Sequence, residues 1–466
     1  MTTDVAVIGG GISGLATAWE LVRQGLDVVV LERQANPGGN AVSERIGGFL
    51  MEHGPSTVDA RAQVVTDVGR RLGLDSERCE LGPDVRNRYL AGKGRLKSIA
   101  PHPLGFLLSD YLSVGARLRL LAEGAIRRRH GEDDESIAAF SDRRFGRNFT
   151  MRVMEPLVRG IYGGDPYCLS VGAIFPALVA MEQRYGSISR GILRARMGNR
   201  KMPGRRLYSW RDGIGSLPLM LARQLEGRLH TGAAVRRVRH ERAGFVIDAG
   251  YKGRLLARAV VIATQPHVAA QLLATLDMDA AATAGAIEAP PMAVVYVGYQ
   301  RQQVSHPLDG LGFFAARDEG RSLNGVQFCS TMFEGRTPAG CVSLAGYFGG
   351  DSAPELARAP SEVLVALARN EFADLLGARG EPIVAKVRHW PRGLPQYRVG
   401  HRRLVARLRG AEDRLPGLFL TGNYFEGPSV GASLDQAMKT AARVKAALAC
   451  TMNSPAAAAK PQMTPP

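Results

Sequence analysis

The stretch Asp4-Val5-Ala6-Val7-Ile8-Gly9-Gly10-Gly11-Ile12-Ser13-Gly14 decides the fold. Its first five residues read as a short apolar strand. The triplet Gly9-x-Gly11-x-x-Gly14 follows at once, and a helical stretch continues to about Gln24. A second strand, Val28 to Leu31, ends on Glu32. Strand, glycines, helix, strand and acid in this order describe a dinucleotide-binding unit. Gly9 makes the tight turn, Gly11 lets backbone approach a pyrophosphate, and Gly14 lets the helix pack on the strand. The helix start at Ile12 and Ser13 offers N–H groups and the positive end of the helix dipole to phosphates. Glu32 is placed to accept from a ribose 2′-OH.

Beyond Glu32 the chain reads Arg33-Gln-Ala-Asn36-Pro-Gly38-Gly39-Asn40, and later Glu52-His53-Gly54-Pro55-Ser56. The Gly38-Gly39 pair reads either as a second close approach to a long cofactor or as an ordinary turn. This stretch resembles the second half of the FAD fingerprint in the flavin monoamine oxidase superfamily, which includes amine oxidases, phytoene desaturases and protoporphyrinogen oxidases. The resemblance implies FAD rather than NAD, held by Arg33, Gly38, Gly39, Asn40, Gly54, Pro55 and Ser56 as well as the first loop. Members often carry arginine where this chain has Asn36 and a basic residue where it has Asn40, so some diphosphate contacts differ. No cysteine stands near Gly422, so the expected FAD is non-covalent.

A chain of 466 residues exceeds one core and predicts two or three domains. Hydrophobic residues at 45% and charged residues at 22% fit a globular protein. Five cysteines are scattered without a C-x-x-C pair, which argues against a metal site and fits a reducing compartment. The first residues run directly into a strand, so no signal peptide is expected. The longest uncharged run, Ala259 to Leu276, contains Gln265, Pro266 and His267 and reads as a buried strand plus loop, not a membrane span. The net charge of +17 raises nucleic acid as a partner. The basic residues are dispersed and aromatics are only 6%, so nucleic acid is set aside. An anionic membrane face, a polycarboxylate substrate or simply a basic surface remain.

The fold class expected is α/β plus α+β: a Rossmann-like (GR2-type) FAD-binding domain, a mixed-sheet substrate domain and a helical, membrane-associating insertion. The cofactor domain is expected in three parts, 1–85, 206–279 and 389–450. A mostly helical insertion spans 86–205, a substrate domain spans 280–388, and 451–466 is a disordered tail. Ala234 to Val238 and Phe245 to Ile247 alternate like strands, and Ala259 to Thr264 reads as a central one. Strand-like runs Ala293–Val297 and Val342–Gly346 belong to the substrate domain. Ser361 is expected as the N-cap of a helix with an apolar face. Gly417 to Asn423 is read as a strand ending at a Gly-Asn corner, followed by a helix from about Ser433 to Ala449. The resemblance adds Val235 near an adenine, and Thr264, Trp390, Gly422, Asn423 and Val430 along the cofactor.

Further motifs are similar, in order and spacing, to one branch of the superfamily: protoporphyrinogen oxidase and its relative that oxidises coproporphyrinogen. They include Phe140-Ser-Asp-Arg-Arg144-Phe-Gly146, Glu155-Pro-Leu-Val-Arg159-Gly160-Ile-Tyr-Gly163-Gly164-Asp165 and Trp390-Pro-Arg-Gly-Leu-Pro395-Gln-Tyr397-x-x-Gly400-His401. The chain departs from the branch after Asn423, where Tyr424 to Ser433 replaces a Gly-Val-x-Val type sequence, and this leaves room for a related substrate. The resemblance implies hydride removal from a porphyrinogen to the flavin, six electrons in all, with O2 as final acceptor. A porphyrinogen is an apolar body with carboxylate arms. Arg88 is implied as the propionate partner, Gly160 as backbone close to the ring, and Phe314 and Phe333 as slot walls. No catalytic base is nominated, and His53 and His401 read first as structural.

The stretch from Leu104 through Leu121, followed by Arg127-Arg128-Arg129, reads two ways: an interfacial helix on an anionic leaflet, or a packed helix with a solvated basic end. The expected place is the cytoplasm, at the inner face of the membrane, as monomer or homodimer. Two alternatives stand beside the oxidase. One is a superfamily enzyme for another substrate, such as an amine or a carotenoid precursor. The other is a binding protein that kept the fold, as Rab escort and GDP-dissociation-inhibitor proteins do.

Overall fold

Ala259-Val260-Val261-Ile262 is apolar on both faces, and it lies where both faces are covered. These four residues end strand β13 (Arg254–Ile262) and are fully buried. On one side β13 pairs in parallel with β1 (Thr2–Ile8), which pairs in parallel with β2 (Val28–Leu31) and that with β10 (Leu229–His230). On the other side β13 divides. Its first half pairs antiparallel with β12 (Gly244–Asp248), itself joined to β11 (Arg237–Glu241), and its last residues pair in parallel with β19 (Leu418–Leu420). Each fully buried valine here is worth roughly 1.5–3 kcal/mol over an exposed one. The Ile12–Arg23 helix and the Val430–Met452 helix lie close together, with Thr17 Oγ1 donating to Ala437 O at 3.4 Å.

The structure, a computed structural model, describes residues 2–92, 94–99, 111–129, 131, 133–197, 206–250 and 253–452. The Leu104–Leu108 part of the amphipathic stretch and all but the first two residues of the expected tail lie outside the described residues. Two compact units are present: Met1–Ala41, Leu217–Ala286 and Leu404–Pro466 in one, Val42–Ser216 and Ile287–Arg403 in the other. Residues 42–85, 206–216 and 389–403, expected with the cofactor domain, group with the second unit, and 280–286, expected with the substrate domain, group with the first.

That unit is built on a mixed seven-stranded sheet. Its order is β18 (Val384–Trp390), β14 (Met292–Gln300), β17 (Cys341–Gly349), β16 (Leu323–Phe328), β15 (Gly310–Ala315), β7 (Asn87–Gly92) and β8 (Arg95–Ser98). All neighbours are antiparallel except β15 and β7. A hairpin of β3 (Ser43–Ile46) and β4 (Phe49–Glu52) and a small sheet of β5 (Val58–Asp59), β9 (Leu207–Trp210) and β6 (Arg78–Glu80) complete the strands. One face of the large sheet takes the Ser361–Leu376 helix over Val295, Val297, Leu344 and Phe313. The helices Ile137–Phe145, Glu155–Tyr162, Pro176–Tyr185 and Ile188–Met197 share a core of Ile137, Phe140, Val158 and Leu169.

Five expectations need correction. The 86–205 segment is helical only after β7 and β8, because these strands extend the second unit's sheet. β11 begins at Arg237, just after the Arg236 N–H that donates to Asp248 O at 2.9 Å, so Ala234 and Val235 lie outside the strand. Ala259–Leu276 is strand plus the Pro266–Leu273 helix rather than strand plus loop, since Pro266 sits at a helix start where its missing N–H costs nothing. The last helix starts at Val430, not Ser433. Ser361 is the first helical residue and Pro360 the N-cap, with Pro360 O accepting from Leu364 N at 3.1 Å. The Ser361 hydroxyl instead lies 3.2 Å from His389 Nε2, while Nδ1 of that ring is 3.0 Å from Ala357 O.

The helical part is pinned by buried charge. Arg144 is fully buried and pairs with Glu123, and lies 3.5 Å from Glu182. The Glu123 carboxylate accepts from Ser187 Oγ at 2.6 Å, Ile188 N at 3.1 Å and Ser189 N at 2.9 Å, so it sits on the N-terminus of the Ile188–Met197 helix. Burial pushes its pKa up, but these hydrogen bonds outweigh burial and bring it down to about 2. A carboxylate depressed in this way stabilises the fold above its ordinary pKa of 4.5 and loses that contribution as pH falls toward 2. Glu123→Ala removes the closer carboxylate of buried Arg144, leaving Glu182 at 3.5 Å, and is expected to cost about 3 kcal/mol in denaturant unfolding at pH 7. The difference between Glu123→Gln and wild type should shrink steadily from pH 4.5 to pH 2.

Candidate active site

In the first unit the parallel strands β1, β2, β13 and β19 end along one edge, the position where open α/β sheets bind ligands. Backbone bonds lace these ends together: Gly9 N to Leu31 O at 2.9 Å, Ala263 N to Ile8 O at 2.8 Å and Thr421 N to Ile262 O at 3.1 Å. Gly9 turns with φ +112°, and a Cβ on it would lie 2.6 Å from Ala263 O. A Cβ on Gly14 would lie 1.9 Å from Gly9 O, so only glycine lets the helix approach. Gly11 differs. It is the N-cap in an extended conformation, no side chain caps the helix, and a Cβ there meets only Gly39 Cα at 3.9 Å. The free side of Gly11 is the opening of a backbone cradle.

The Gly38-Gly39 pair is a tie onto that cradle. Gly38 N donates to Gly10 O at 2.8 Å, and a Cβ on Gly39 would press Gly11 Cα at 3.1 Å. Glu32 is held from both sides, its Oε2 accepting from Gly10 N at 2.5 Å and its Oε1 from Gln34 N at 2.7 Å. Lone pairs remain on the carboxylate for a hydroxyl donor. Arg33 is exposed and Asn40 half-buried. Val235 is half-buried just after Ala233, whose N–H donates to Glu32 O at 2.8 Å. Thr264 follows β13 and Gly422 follows β19. A Cβ on Gly422 would lie 2.8 Å from the Tyr424 ring and 3.6 Å from Thr264 O. Asn423 opens the short Asn423–Glu426 helix, and the buried Val430 opens the last one. A bare glycine cradle, an uncapped helix start and a fixed acid along one strand edge fit a dinucleotide.

The other expected cofactor residues lie in the second unit. His53 is buried, with Nε2 2.8 Å from Glu44 Oε2 and its carbonyl accepting from Trp390 Nε1 at 2.8 Å. Burial lowers the His53 pKa despite the Glu44 partner. Gly54 and Pro55 are half-buried and Ser56 is buried. The Arg388 guanidinium lies 4.3 Å from the Trp390 ring centre. His401 is buried edge-to-face on Tyr397, with ring centres 4.9 Å apart. Both histidines thus occupy packed positions.

The sheet of this unit sorts the substrate candidates. Phe313 faces the Ser361–Leu376 helix, so alternation turns Phe314 to the opposite face, where it packs with Leu90. Arg88, two residues before Leu90, shares that face and is exposed. Its neighbours Asn87 and Tyr89 are both fixed by Asp309, at 2.7 and 2.6 Å. Gly160 meets Phe314 directly. A Cβ on Gly160 would fall 2.0 Å from the Phe314 ring, so the glycine makes room for this side chain. On the same face Tyr347 lies across Gly325 from Phe314 and donates to Gln327 Oε1 at 2.9 Å. Phe333 is buried beside a small pocket lined by Leu50, Glu52, Gln327, Cys329 and Arg336. There Glu52 takes Ser43 Oγ at 2.5 Å, Ile214 N at 3.0 Å and Arg336 Nη1 at 3.2 Å. Burial raises its pKa against these partners. Tyr347 and Gln327 carry no sequence motif, and only the strand register reveals them. Among the described residues no group of His, Cys, Asp or Glu could hold a metal ion, and no helix is long and apolar enough to cross a membrane.

A chain that carries both a dinucleotide-type α/β unit and a mixed-sheet unit has the build of a flavoprotein oxidoreductase. Residues 12–445 match the model for flavin containing amine oxidoreductases, and the chain belongs to that family. Its cofactor is FAD. The chain is 29% identical to the chloroplastic protoporphyrinogen oxidase of Oryza sativa subsp. japonica, over 95% of this chain and 88% of the relative. It is 24% identical to the coproporphyrinogen III oxidase of Bacillus subtilis (strain 168), over 93% of this chain and 96% of the relative. A crystal structure of a candidate protoporphyrinogen oxidase from Exiguobacterium sp. 255-15 superposes with a TM-score of 0.83 at 23% identity, covering 95% and 99% of the two chains.

Gly11 and Gly14 make opposite demands, and substitution separates them. Gly14→Ala should unfold or strongly destabilise the first unit, because its Cβ meets backbone. Gly11→Ala should melt within a degree or two of wild type as apoprotein, because its Cβ finds open space, yet bind FAD at least about ten-fold more weakly by fluorescence titration.

Proposed function

We propose that the protein oxidises a porphyrinogen, protoporphyrinogen IX or coproporphyrinogen III, to the porphyrin in tetrapyrrole biosynthesis. Six electrons and six protons leave the macrocycle, and three O2 take them up as three H2O2. The observation that carries this reading is near-full-length similarity to enzymes named for both porphyrinogens. Bound FAD, without a covalent link, supplies the hydride acceptor. The Gly9–Gly14 loop with Ile12 and Ser13, the Gly38-Gly39-Asn40 tie and Arg33 hold its diphosphate side. Glu32 holds a ribose, and Val235 lies by the adenine. Thr264, Gly422, Asn423 and Val430 of the first unit serve the ring end, and Gly54, Pro55, Ser56 and Trp390 of the second unit are further FAD contacts in this reading.

On the substrate side Arg88 offers an exposed guanidinium fork to a propionate. The Phe314 face supplies apolar surface, Gly160 lets the Glu155–Tyr162 helix close over it, and Phe333 walls the neighbouring pocket. These groups orient the macrocycle and exclude water. They need not move its protons, because imine–enamine tautomerism within the ring does so.

The chain works in the cytoplasm, at an anionic membrane face. Val114, Leu118 and Leu121, spaced i, i+4, i+7 on one helix, are 67%, 62% and 68% exposed, and Arg127 and Arg128 follow, both exposed. Such a basic apolar ridge suits an anionic leaflet. The triple change Val114→Ser, Leu118→Ser, Leu121→Ser should abolish co-flotation with anionic vesicles while leaving flavin reduction intact. A wild type that stays wholly unbound removes this part of the reading.

The main test is anaerobic mixing of the holoenzyme with each porphyrinogen. Bleaching of the visible flavin band by at least one is expected, and bleaching by neither would overturn the substrate assignment. Arg88→Ala should raise KM roughly ten- to hundred-fold with little change in kcat, the loss of one charged hydrogen bond in binding.

A further inference from the structure

Strand β19 is the one whose end leads into the Gly422-Asn423 corner, and among the described residues it pairs on one side only, with β13. Thr421 N–H points to β13, so by alternation the N–H and C=O of Leu420 point outward, where a further strand would normally receive them. In this chain side chains receive them. Glu412 Oε1 accepts from Leu420 N at 2.7 Å, and Arg409 Nη1 donates to Leu420 O at 3.0 Å. Arg409 Nη1 and Glu412 Oε1 are themselves 2.7 Å apart. Together they present the donor and acceptor that one residue of a neighbouring strand would present.

The arrangement reaches the corner itself. The Arg409 guanidinium stacks 4.1 Å from the ring centre of Phe425, in the short helix that Asn423 opens. Arg443 pairs with Glu412 Oε2 and lies 5.4 Å from the Phe419 ring centre. With its amide oriented to satisfy both neighbours, Gln436 accepts from Arg409 Nη2 and donates to Glu426 Oε1 at 3.0 Å. The Glu412 side chain is only 7% exposed, so its charge is tolerated only because both arginines face it. Through Leu420 and Glu426 the group is bonded to the outer edge of β19 and to the short helix after it.

We infer that Arg409, Glu412 and Arg443 act as a surrogate strand that fixes the Gly422-Asn423 corner and so sets the environment of the flavin bound against it. They are positioning residues for the cofactor, and this rests on the reading that the corner meets the flavin ring. Leu420 N–H needs an acceptor at Glu412, not a negative charge, so a neutral isostere keeps the function and a truncation loses it.

The test uses holoprotein and reads FAD dissociation constant, visible flavin spectrum and midpoint potential, with apoprotein melting measured alongside. Glu412→Ala removes the acceptor of Leu420 N–H and the carboxylate that both arginines face. It should weaken FAD at least about ten-fold and shift both the spectrum and the potential. Glu412→Gln should hold FAD within about three-fold of wild type and restore the spectrum. If Glu412→Ala fails to fold, Arg443→Met leaves the Leu420 bonds in place and should move the same flavin readouts in the same direction by less. Glu412→Ala or Arg443→Met that lowers melting but leaves affinity, spectrum and potential at wild-type values overturns the inference. Asn423→Ala separates the two levels. If it moves the flavin spectrum while Glu412→Ala does not, the surrogate strand is wrong and the corner reading stands. If neither moves it, the corner reading falls as well.

Discussion

The Ile12–Arg23 helix can start where it does only because Gly14 lets its backbone touch Gly9 O, an oxygen that any Cβ at that position would overlap. From this contact the rest of the first unit follows. The helix start is brought to the end of β1, Gly9 is turned against the end of β13, and β2 delivers Glu32 to the same edge. The cradle is therefore a steric consequence before it is a chemical one. Its helix end is left without a side-chain cap, and a phosphate would take that place.

A second device recurs in both units: a buried or half-buried carboxylate that gathers loose backbone. Glu32 takes the N–H groups of Gly10 and Gln34, and Glu412 takes that of Leu420. Glu123 takes Ile188 and Ser189, and Asp134 takes Gly400 N at 2.8 Å together with Ser170 Oγ at 2.7 Å. Acceptor-only side chains suit this task, because one carboxylate can satisfy several donors at once. In a chain rich in arginine the same acids can be buried with a partner, as Glu123 is with Arg144 and Glu52 with Arg336. This gives the positive balance an internal use beside any surface one.

Local patterns were legible where the chain alone sets the geometry. The glycine triplet and the Val28–Leu31 strand were read at their observed bounds, and the Ala259–Ile262 end of β13 was read as strand though its start at Arg254 was not, since turn sterics and double-sided burial write themselves into residue type. Readings failed where a neighbour competed. Serine before an apolar run is a usual cap, but Pro360 already holds the extended conformation of that position and His389 claims the hydroxyl. Pro266 looked like a break and is a helix start. The β7 and β8 strands carry only modest alternation, and they become strands because β15 offers an edge for β7 to join.

By itself the sequence determined that a glycine-edged strand–helix–strand unit with an acid at its second strand would form, because those contacts are local and leave no room for other residues. Its residues also carried the flavin family, since motif order is preserved in the chain. Which side of the second sheet holds Phe314, Tyr347, Gln327 and Arg88 together was decided only by tertiary structure, because register between strands far apart in sequence sets which face each side chain takes. The Arg409–Glu412–Arg443 brace on β19 likewise exists only once an edge strand has packed and its outward N–H and C=O need partners.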